Sequence, residues 1–140
     1  MDDRIIYWIQ DVQGGLGKSQ FMKNYGRKNP KTVVAVDNTE GKNIKFICAQ
    51  HIKKHHMLRV IMIGLARADT NKVCYSTIEG LKDGHYTSTK YQCEIIDVLQ
   101  PPHVIIFSNS GPDLTSLTMN RWRVGTLRGV DESIAWQLIK

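Results

Sequence analysis

The amino-acid sequence predicts an α/β fold, a mainly parallel central sheet flanked by helices. Three observations support this prediction. A β-prone run at residues 5–9 leads through a glycine-rich turn into a helix-like segment at residues 19–27. Two later runs, at residues 32–37 and 104–107, have wholly apolar centres, which is typical of strands buried in a parallel sheet. Helix-like segments separate these runs, and strands that alternate with helices predict parallel βαβ connections.

The remaining elements are predicted from hydrophobic periodicity and from capping and turn signals. A capping-box pattern at residues 76–79 starts a short helix. Uneven alternation of polar and apolar residues at 85–98 favours a hairpin or two short strands. The other predicted elements are helices at 43–54 and 131–139 and strands at 58–65 and 124–127.

Length and composition indicate one globular domain whose basic charge suits a polyanionic partner, although many soluble proteins are equally basic without one. A chain of 140 residues is long enough for a hydrophobic core. The formal net charge of +6 suits a nucleic acid. Three scattered cysteines, an odd number, predict reduced thiols in a protein that is not secreted. No apolar run is long enough to predict a membrane span.

A phosphate-binding loop is predicted where the glycine-rich turn ends and the first helix begins. Gly14, Gly15 and Gly17 let successive backbone N–H groups turn inward toward phosphate oxygens. The helix then points its positive N-terminal end at the same anion. Lys18 is predicted to reach the outer phosphates and Ser19 to bind Mg²⁺ through its hydroxyl.

This loop departs from the full P-loop pattern at one position. The spacing G-x-x-x-x-G-K-[ST] places its first glycine at Val12, and Gly14 and Gly15 supply flexibility instead. The alternative is a strand-to-helix turn with a chance Gly-Lys-Ser. The flanking strand and helix patterns favour the nucleotide loop.

Two polar residues are candidates for catalysis. Asn109 follows an apolar strand, at the sheet edge where open α/β folds bind ligands, and is a candidate to orient the attacking water. Arg121, beside Trp122, is a candidate arginine finger for a neighbouring subunit. The alternatives are a turn asparagine and a surface arginine beside a packed tryptophan. Residue type alone favours these alternatives.

Basic and aromatic residues mix at residues 82–91, around a predicted turn. Lys82 and Lys90 are candidate phosphate contacts, and a tyrosine of this segment, Tyr86 or Tyr91, can stack on an exposed base. A solvated hairpin is the alternative.

Cysteine and histidine recur at helical spacing in residues 48–56. A structural zinc needs ligands that converge on one point, which is difficult for ligands along one helix. We therefore predict a polar helix face with a buried Cys48, not a metal site.

The order of these motifs resembles replication-initiator (Rep) proteins of circular single-stranded DNA viruses, of the nanovirus, alphasatellite and circovirus types. Residues 6–19 are similar to the Walker A region of that family. Residues 75–91 resemble the segment between its Walker B strand and motif C. Residues 101–109 and 112–122 resemble motif C and the S-x-D-R-W element that follows. The resemblance covers nearly the whole chain.

The resemblance implies a superfamily 3 helicase domain, an ATPase of the AAA+ P-loop type. Such domains work as rings, usually hexamers, on single-stranded DNA, and the alternative of RNA stays open. The implied process is viral rolling-circle replication in the host nucleus or cytoplasm. The implied sites are ATP and Mg²⁺ at Gly14, Gly15, Gly17, Lys18 and Ser19, a sensor at Asn109, a trans finger at Arg121, and nucleic-acid contacts at Lys82 and Lys90.

The chain departs from the family pattern at two positions. Residues 60–67 match the Walker B frame, but Gly64 stands where the acid belongs, so we expect weak ATP hydrolysis. Asn120 stands where the family usually has Asp before Arg-Trp. Asp37 also ends an apolar strand, but the resemblance places that strand before Walker B and so predicts Asp37 farther from the metal.

The sequence predicts a single helicase-like domain over residues 1–140, without the nicking endonuclease domain of the family. Two alternatives stay open. One is a decayed Rep-derived module that binds nucleotide or nucleic acid without turnover. The other is a P-loop kinase of small molecules.

Overall fold

A computed structural model describes residues 5–11, 18–37, 41–65, 75–109, 121–130 and 133–139. Within these residues, strands and helices alternate through the first part of the chain, as predicted. The helices are α1 (Lys18–Lys28), α2 (Gly41–His55) and α3 (Tyr75–Asp83). The strands are β1 (Ile6–Gln10), β2 (Val33–Asp37), β3 (Val60–Leu65), β4 (His85–Ser88), β5 (Glu94–Asp97), β6 (His103–Ser108), β7 (Trp122–Val130) and β8 (Ser133–Ile139).

The central sheet has the order β2-β3-β6-β1-β7-β8. The five strands from β2 to β7 pair in parallel, and β8 pairs antiparallel with β7. Strands β4 and β5 form a separate antiparallel hairpin, as the alternation at residues 85–98 predicted. The predicted α/β class with a mainly parallel sheet is therefore confirmed.

The prediction of a helix at residues 131–139 is wrong. Residues 133–139 form β8, which pairs with β7 from Val124↔Ile139 to Val130↔Ser133. The sequence Ser-Ile-Ala-Trp-Gln-Leu-Ile places large apolar residues at every second position, which is the period of a strand. Their spacing also fits part of a helical face, and a short segment cannot distinguish the two periods.

Each face of the sheet packs against its own helices. On one face, Trp8, Ile63 and Ile106 join a buried cluster with apolar residues of α2, α3 and the β4–β5 hairpin. On the other face, Met22 of α1 packs with Ile9, Met62 and Phe107. This division follows from the alternation of side chains along each strand.

The packing of α1 brings its first turn to the carboxyl edge of the sheet. Gly26, near the end of α1, lies where an added Cβ would be 3.6 Å from Ala35 Cβ in β2. The helix follows the end of β1 and precedes β2, which begins at the amino edge in register with Val60 of β3. Helix α1 therefore runs back across the sheet, with its N-terminus at the end of β1. Among the described residues, no helix is long and apolar enough to cross a membrane.

Candidate nucleotide-binding site

The candidate site lies at the carboxyl edge of the sheet, beside the N-terminus of α1. The connection after β1 leads to β2, the outermost strand on one side of the sheet. The connection after β7 leads to β8, the outermost strand on the opposite side. Open α/β sheets bind ligands where neighbouring connections diverge in this way. The first turn of α1 contains no acidic residue, so no carboxylate in that turn opposes the positive end of the helix dipole. The N-terminus of α1 therefore suits an anion.

The predicted phosphate loop connects β1 to α1 along the chain. Gly14, Gly15 and Gly17 lie outside the described residues, as does the Lys18 side chain. The backbone of Lys18 begins α1, and Ser19 follows it as an exposed residue of the first turn. The hydroxyl predicted to bind Mg²⁺ is therefore on the helix turn that faces the carboxyl edge.

Asn109 lies at the same edge. It follows the last residue of β6 and is half-buried. Strand β6 pairs directly with β1, at a spacing of about 4.8 Å, so Asn109 is one strand away from the start of the glycine-rich loop. The Asp11 N–H donates to the Ser108 carbonyl at 2.7 Å, which extends the β1–β6 ladder by one residue. This bond holds the start of the loop beside the residue predicted to be the sensor.

Two carboxylates lie at this edge: Asp11, which sequence reasoning missed, and Asp37, which it predicted to lie farther from the metal. Asp11, directly after β1, is fully buried. Asp37 ends β2, and its carboxylate lies against the α-carbon of Gly64: a Cβ added at residue 64 would lie 1.9 Å from Asp37 Oδ1. The only sequence signal was an acidic residue directly after each apolar run, and that signal does not specify which neighbouring strand the carboxylate contacts.

Arg121 lies at the opposite edge of the sheet. It directly precedes β7, and its carbonyl accepts a 2.6 Å hydrogen bond from the Ile6 N–H at the start of β1. The length of β1, about 16 Å, separates this edge from the edge where α1 begins. The Arg121 guanidinium donates to Asp83 Oδ1 at 2.6 Å. Within one chain, Arg121 is therefore remote from the phosphate loop, and the trans role stays a prediction.

The position of Lys82 corrects the prediction that it contacts nucleic acid. Its side chain is 1% exposed, and Nζ donates to the Pro102 carbonyl at 2.9 Å. The hydrogen bond connects α3 to the residue before β6. A buried ammonium cannot reach a phosphate backbone, so Lys82 has a structural position.

Lys90 lies in a half-buried aromatic cluster between the β4–β5 hairpin and α2. Its Nζ lies 5.2 Å from the centroid of the Tyr91 ring and 5.8 Å from that of Phe46, and it also bonds Asn43 Oδ1. The two rings meet edge-on, with centroids 5.1 Å apart. Tyr91 is 84% exposed and has a φ of 67°, an uncommon conformation for a residue other than glycine. We call Asn43, Phe46, Lys90 and Tyr91 the Lys90 cluster.

Cys48 is buried in α2, as predicted. Cys48 is fully buried, and burial raises the pKa of its thiol to about 12. His51 donates from Nε2 to the Lys31 carbonyl at 2.8 Å. Across the described part of the chain, no three His, Cys, Asp or Glu side chains are grouped to hold a metal ion. A Mg²⁺ that enters with a nucleotide needs fewer protein ligands, because phosphates and water supply the rest.

Comparison with known proteins relates the chain to alphasatellite Para-Rep proteins. It is 31% identical over 120 residues to Para-Rep C1 of Faba bean necrotic yellows C11 alphasatellite, covering 86% of this chain and 40% of the relative. It is 30% identical over 120 residues to Para-Rep C2 of Milk vetch dwarf C2 alphasatellite, with the same coverage. Para-Rep C3 of Milk vetch dwarf C3 alphasatellite is 27% identical over 132 residues, covering 88% of this chain and 41% of the relative. No family model matches the chain.

Proposed function

We propose that this chain is an ATP-binding and ATP-hydrolysing domain of the superfamily 3 helicase type. In this proposal it acts on single-stranded nucleic acid during rolling-circle replication of a viral type. One observation carries the proposal: the first turn of α1, which starts with Lys18-Ser19, lies at the carboxyl edge next to the end of β1, one strand from Asn109. A helix N-terminus, a serine hydroxyl and a polar side chain at this edge fit a nucleoside triphosphate with Mg²⁺.

The relatives support the viral part of the proposal. The chain matches Para-Rep proteins of several alphasatellites over 86–88% of its length, and it spans 40–41% of theirs. The name Para-Rep points to replication. We assign the same type of role to this chain.

The Lys90 cluster supports the nucleic-acid part. An ammonium beside an exposed tyrosine combines a phosphate contact with a surface on which a base can stack. The cluster lies between the β4–β5 hairpin and the first turns of α2. The chain's net charge of +6 favours the same partner.

The position of Arg121 is compatible with a ring assembly. Arg121 precedes β7 at the amino edge, one strand length (~16 Å) from the carboxyl edge of its own chain, so we propose that it acts as a finger on the nucleotide of a neighbouring chain. We propose a homo-oligomeric ring, a hexamer by resemblance, in which the amino edge of one subunit faces the carboxyl edge of the next.

ATP turnover measured with and without single-stranded DNA tests the proposal. We expect turnover that rises when the DNA is added and is lost in Lys18→Ala. The control is Lys23→Ala, which removes another lysine of α1, exposed one turn later. Turnover without any response to DNA or RNA would favour a small-molecule kinase. The same loss in both variants would indicate damage to α1 and not to the phosphate site.

A second candidate is a module that binds nucleotide and nucleic acid without turnover. The glycine at position 64 favours it, because that residue offers no side-chain oxygen to position Mg²⁺ and water. ATP binding with no measurable hydrolysis, in the presence and absence of DNA, would support this candidate over the first.

A further inference from the structure

The pairing of β2 with β3 places Asp37 directly beside Gly64. The two residues are partners in the parallel register, at the carboxyl end of both strands. Gly64 is level with Phe107 of β6, and Phe107 is level with Ile9 of β1. Asp37 and Gly64 therefore lie at the height where β1 ends and the glycine-rich loop begins.

The Asp37 carboxylate occupies the space that a side chain at residue 64 would fill. A Cβ built on Gly64 would lie 1.9 Å from Asp37 Oδ1 and 3.1 Å from Asp37 Cγ. Both distances are shorter than van der Waals contact, so a side chain at residue 64 and this orientation of Asp37 exclude each other. Glycine at position 64 is therefore what allows the carboxylate to lie across β3.

Helix α1 places the predicted Mg²⁺ ligand next to this carboxylate. Met22 Cε lies 3.5 Å from the same point above Gly64, and Met22 is buried. Ser19 precedes Met22 by three residues, so the two side chains share a face of α1 and are about 4.5 Å apart along its axis. The direction from Met22 to Ser19 leads to the carboxyl edge. Asp37 itself is exposed, so its carboxylate is accessible from that edge.

We propose that Asp37 supplies the carboxylate for the Mg²⁺ of the bound nucleotide, in place of an acid at position 64. The inference rests on the proposed function. The residues fit the ion, because Mg²⁺ in nucleotide sites uses oxygen ligands, commonly one or two carboxylates together with phosphates. The carboxylate reaches the end of β3 from the neighbouring strand instead of from β3 itself. Hydrolysis then does not depend on residue 64, and the expectation of weak hydrolysis from Gly64 no longer follows.

The test uses Mn²⁺ as the probe ion, because its binding is measured directly by electron paramagnetic resonance. The free Mn²⁺ signal is titrated with protein and a non-hydrolysable ATP analogue, for the parent chain and for Asp37→Asn. We expect Asp37→Asn to weaken Mn²⁺ binding about tenfold or more, as loss of a metal-site group commonly does. Binding of the analogue in excess EDTA should be unchanged, because Asp37 is not proposed to contact phosphate.

Two further variants separate metal binding from structural effects. Asp97→Asn, at an exposed aspartate of β5, is the matched control and should leave Mn²⁺ binding unchanged. The double variant Asp37→Gly/Gly64→Asp moves the carboxylate onto β3. We expect it to recover much of the Mn²⁺ affinity that Asp37→Gly alone loses, since the two side chains then exchange places without a clash.

The outcomes distinguish this inference from the proposed function. If the parent chain binds the analogue neither with Mn²⁺ nor in EDTA, both the inference and the proposed function are overturned. A parent that binds the analogue, with equal Mn²⁺ affinity in Asp37→Asn, overturns the inference alone. Failure of the double variant to exceed Asp37→Gly, with both folded by circular dichroism, also contradicts the exchange of positions.

Discussion

Arg121 and Asp83 form an ion pair, with 2.6 Å between Nη2 and Oδ1, that joins the residue before β7 to the last residue of α3. The arginine side chain is 16% exposed and the aspartate side chain 53%. The pair holds the guanidinium at the amino edge of the sheet. An arginine that serves a neighbouring subunit would exchange this partner for a phosphate, and both are anions that a guanidinium binds in the same geometry.

We predict that Arg121 acts across a subunit boundary. Arg121→Ala and Lys18→Ala should each be inactive alone, whereas a mixture should recover part of the parent's ATP turnover, because each chain supplies what the other lacks. Arg123→Ala, next but one along the chain and exposed, is the control and should retain turnover alone. An active, oligomeric parent whose mixed variants show no recovery would remove the trans role.

Loss of the Arg121–Asp83 pair should change stability little. Partly exposed ion pairs contribute about 0.2–1 kcal/mol to stability. Arg121→Ala should therefore lower the free energy of unfolding, measured by urea denaturation, by no more than that amount. This small cost makes the mixing experiment interpretable.

Lys18→Ala should weaken ATP binding about tenfold or more. The variant removes a charge-assisted hydrogen bond to the outer phosphates, an interaction worth about 1.5–3 kcal/mol. Isothermal titration with ATP checks this, beside Lys23→Ala as a variant of the same helix that leaves the loop intact. Equal ATP affinity in Lys18→Ala and the parent would show that residues 12–19 do not form a phosphate loop.

Lys90→Ala should weaken binding to single-stranded DNA and lower its salt dependence. The slope of log affinity against log salt should fall by about 0.7 for one lost phosphate contact on a single strand. Tyr91→Ala should weaken binding by about 1–3 kcal/mol at every salt concentration, because stacking does not release counterions. Lys54→Ala, an exposed lysine of α2, serves as the control. A Lys90→Ala slope equal to the parent's would exclude the Lys90 cluster as the binding surface.

Lys82→Ala should reduce stability and leave DNA binding unchanged. The variant leaves the Pro102 carbonyl without its bond from Nζ, and an unsatisfied buried acceptor costs about 1–3 kcal/mol. Urea denaturation measures the loss, and Lys82→Met separates it from packing, because methionine fills the space without a donor. A lower salt slope for DNA binding in Lys82→Ala would contradict the structural role.

Local patterns in the sequence predicted most of the fold. Strands β1, β2, β3 and β6 are recognisable as apolar runs in the sequence, because strands of a parallel sheet are buried on both faces. The exception was β8, where alternation over seven residues also fits one face of a helix. Its pairing with β7 along the whole of its length shows that β8 is a strand.

The sequence predicted the candidate site less completely than the fold. Gly-Lys-Ser and the asparagine after β6 are local signals, and the structure brings the first turn of α1 and Asn109 to one edge. Burial is not a local signal, so Lys82 looked like a surface lysine beside a turn until its contact with Pro102 was known. A charged residue type indicates polarity but not the direction of its side chain.

The sequence alone predicts the α/β class and relates the chain to the Para-Rep proteins. Tertiary structure decided the relation between residues far apart in the chain. The Walker B pattern of the family has an acid at the position of residue 64, where this chain has glycine. The same resemblance assigns Asp37 to an earlier strand. The β2–β3 register makes the two residues neighbours, and the missing side chain of one leaves the space that the carboxylate of the other fills. The order of motifs gives only positions along the chain, whereas the groups that a carboxylate can contact depend on distances in the folded structure.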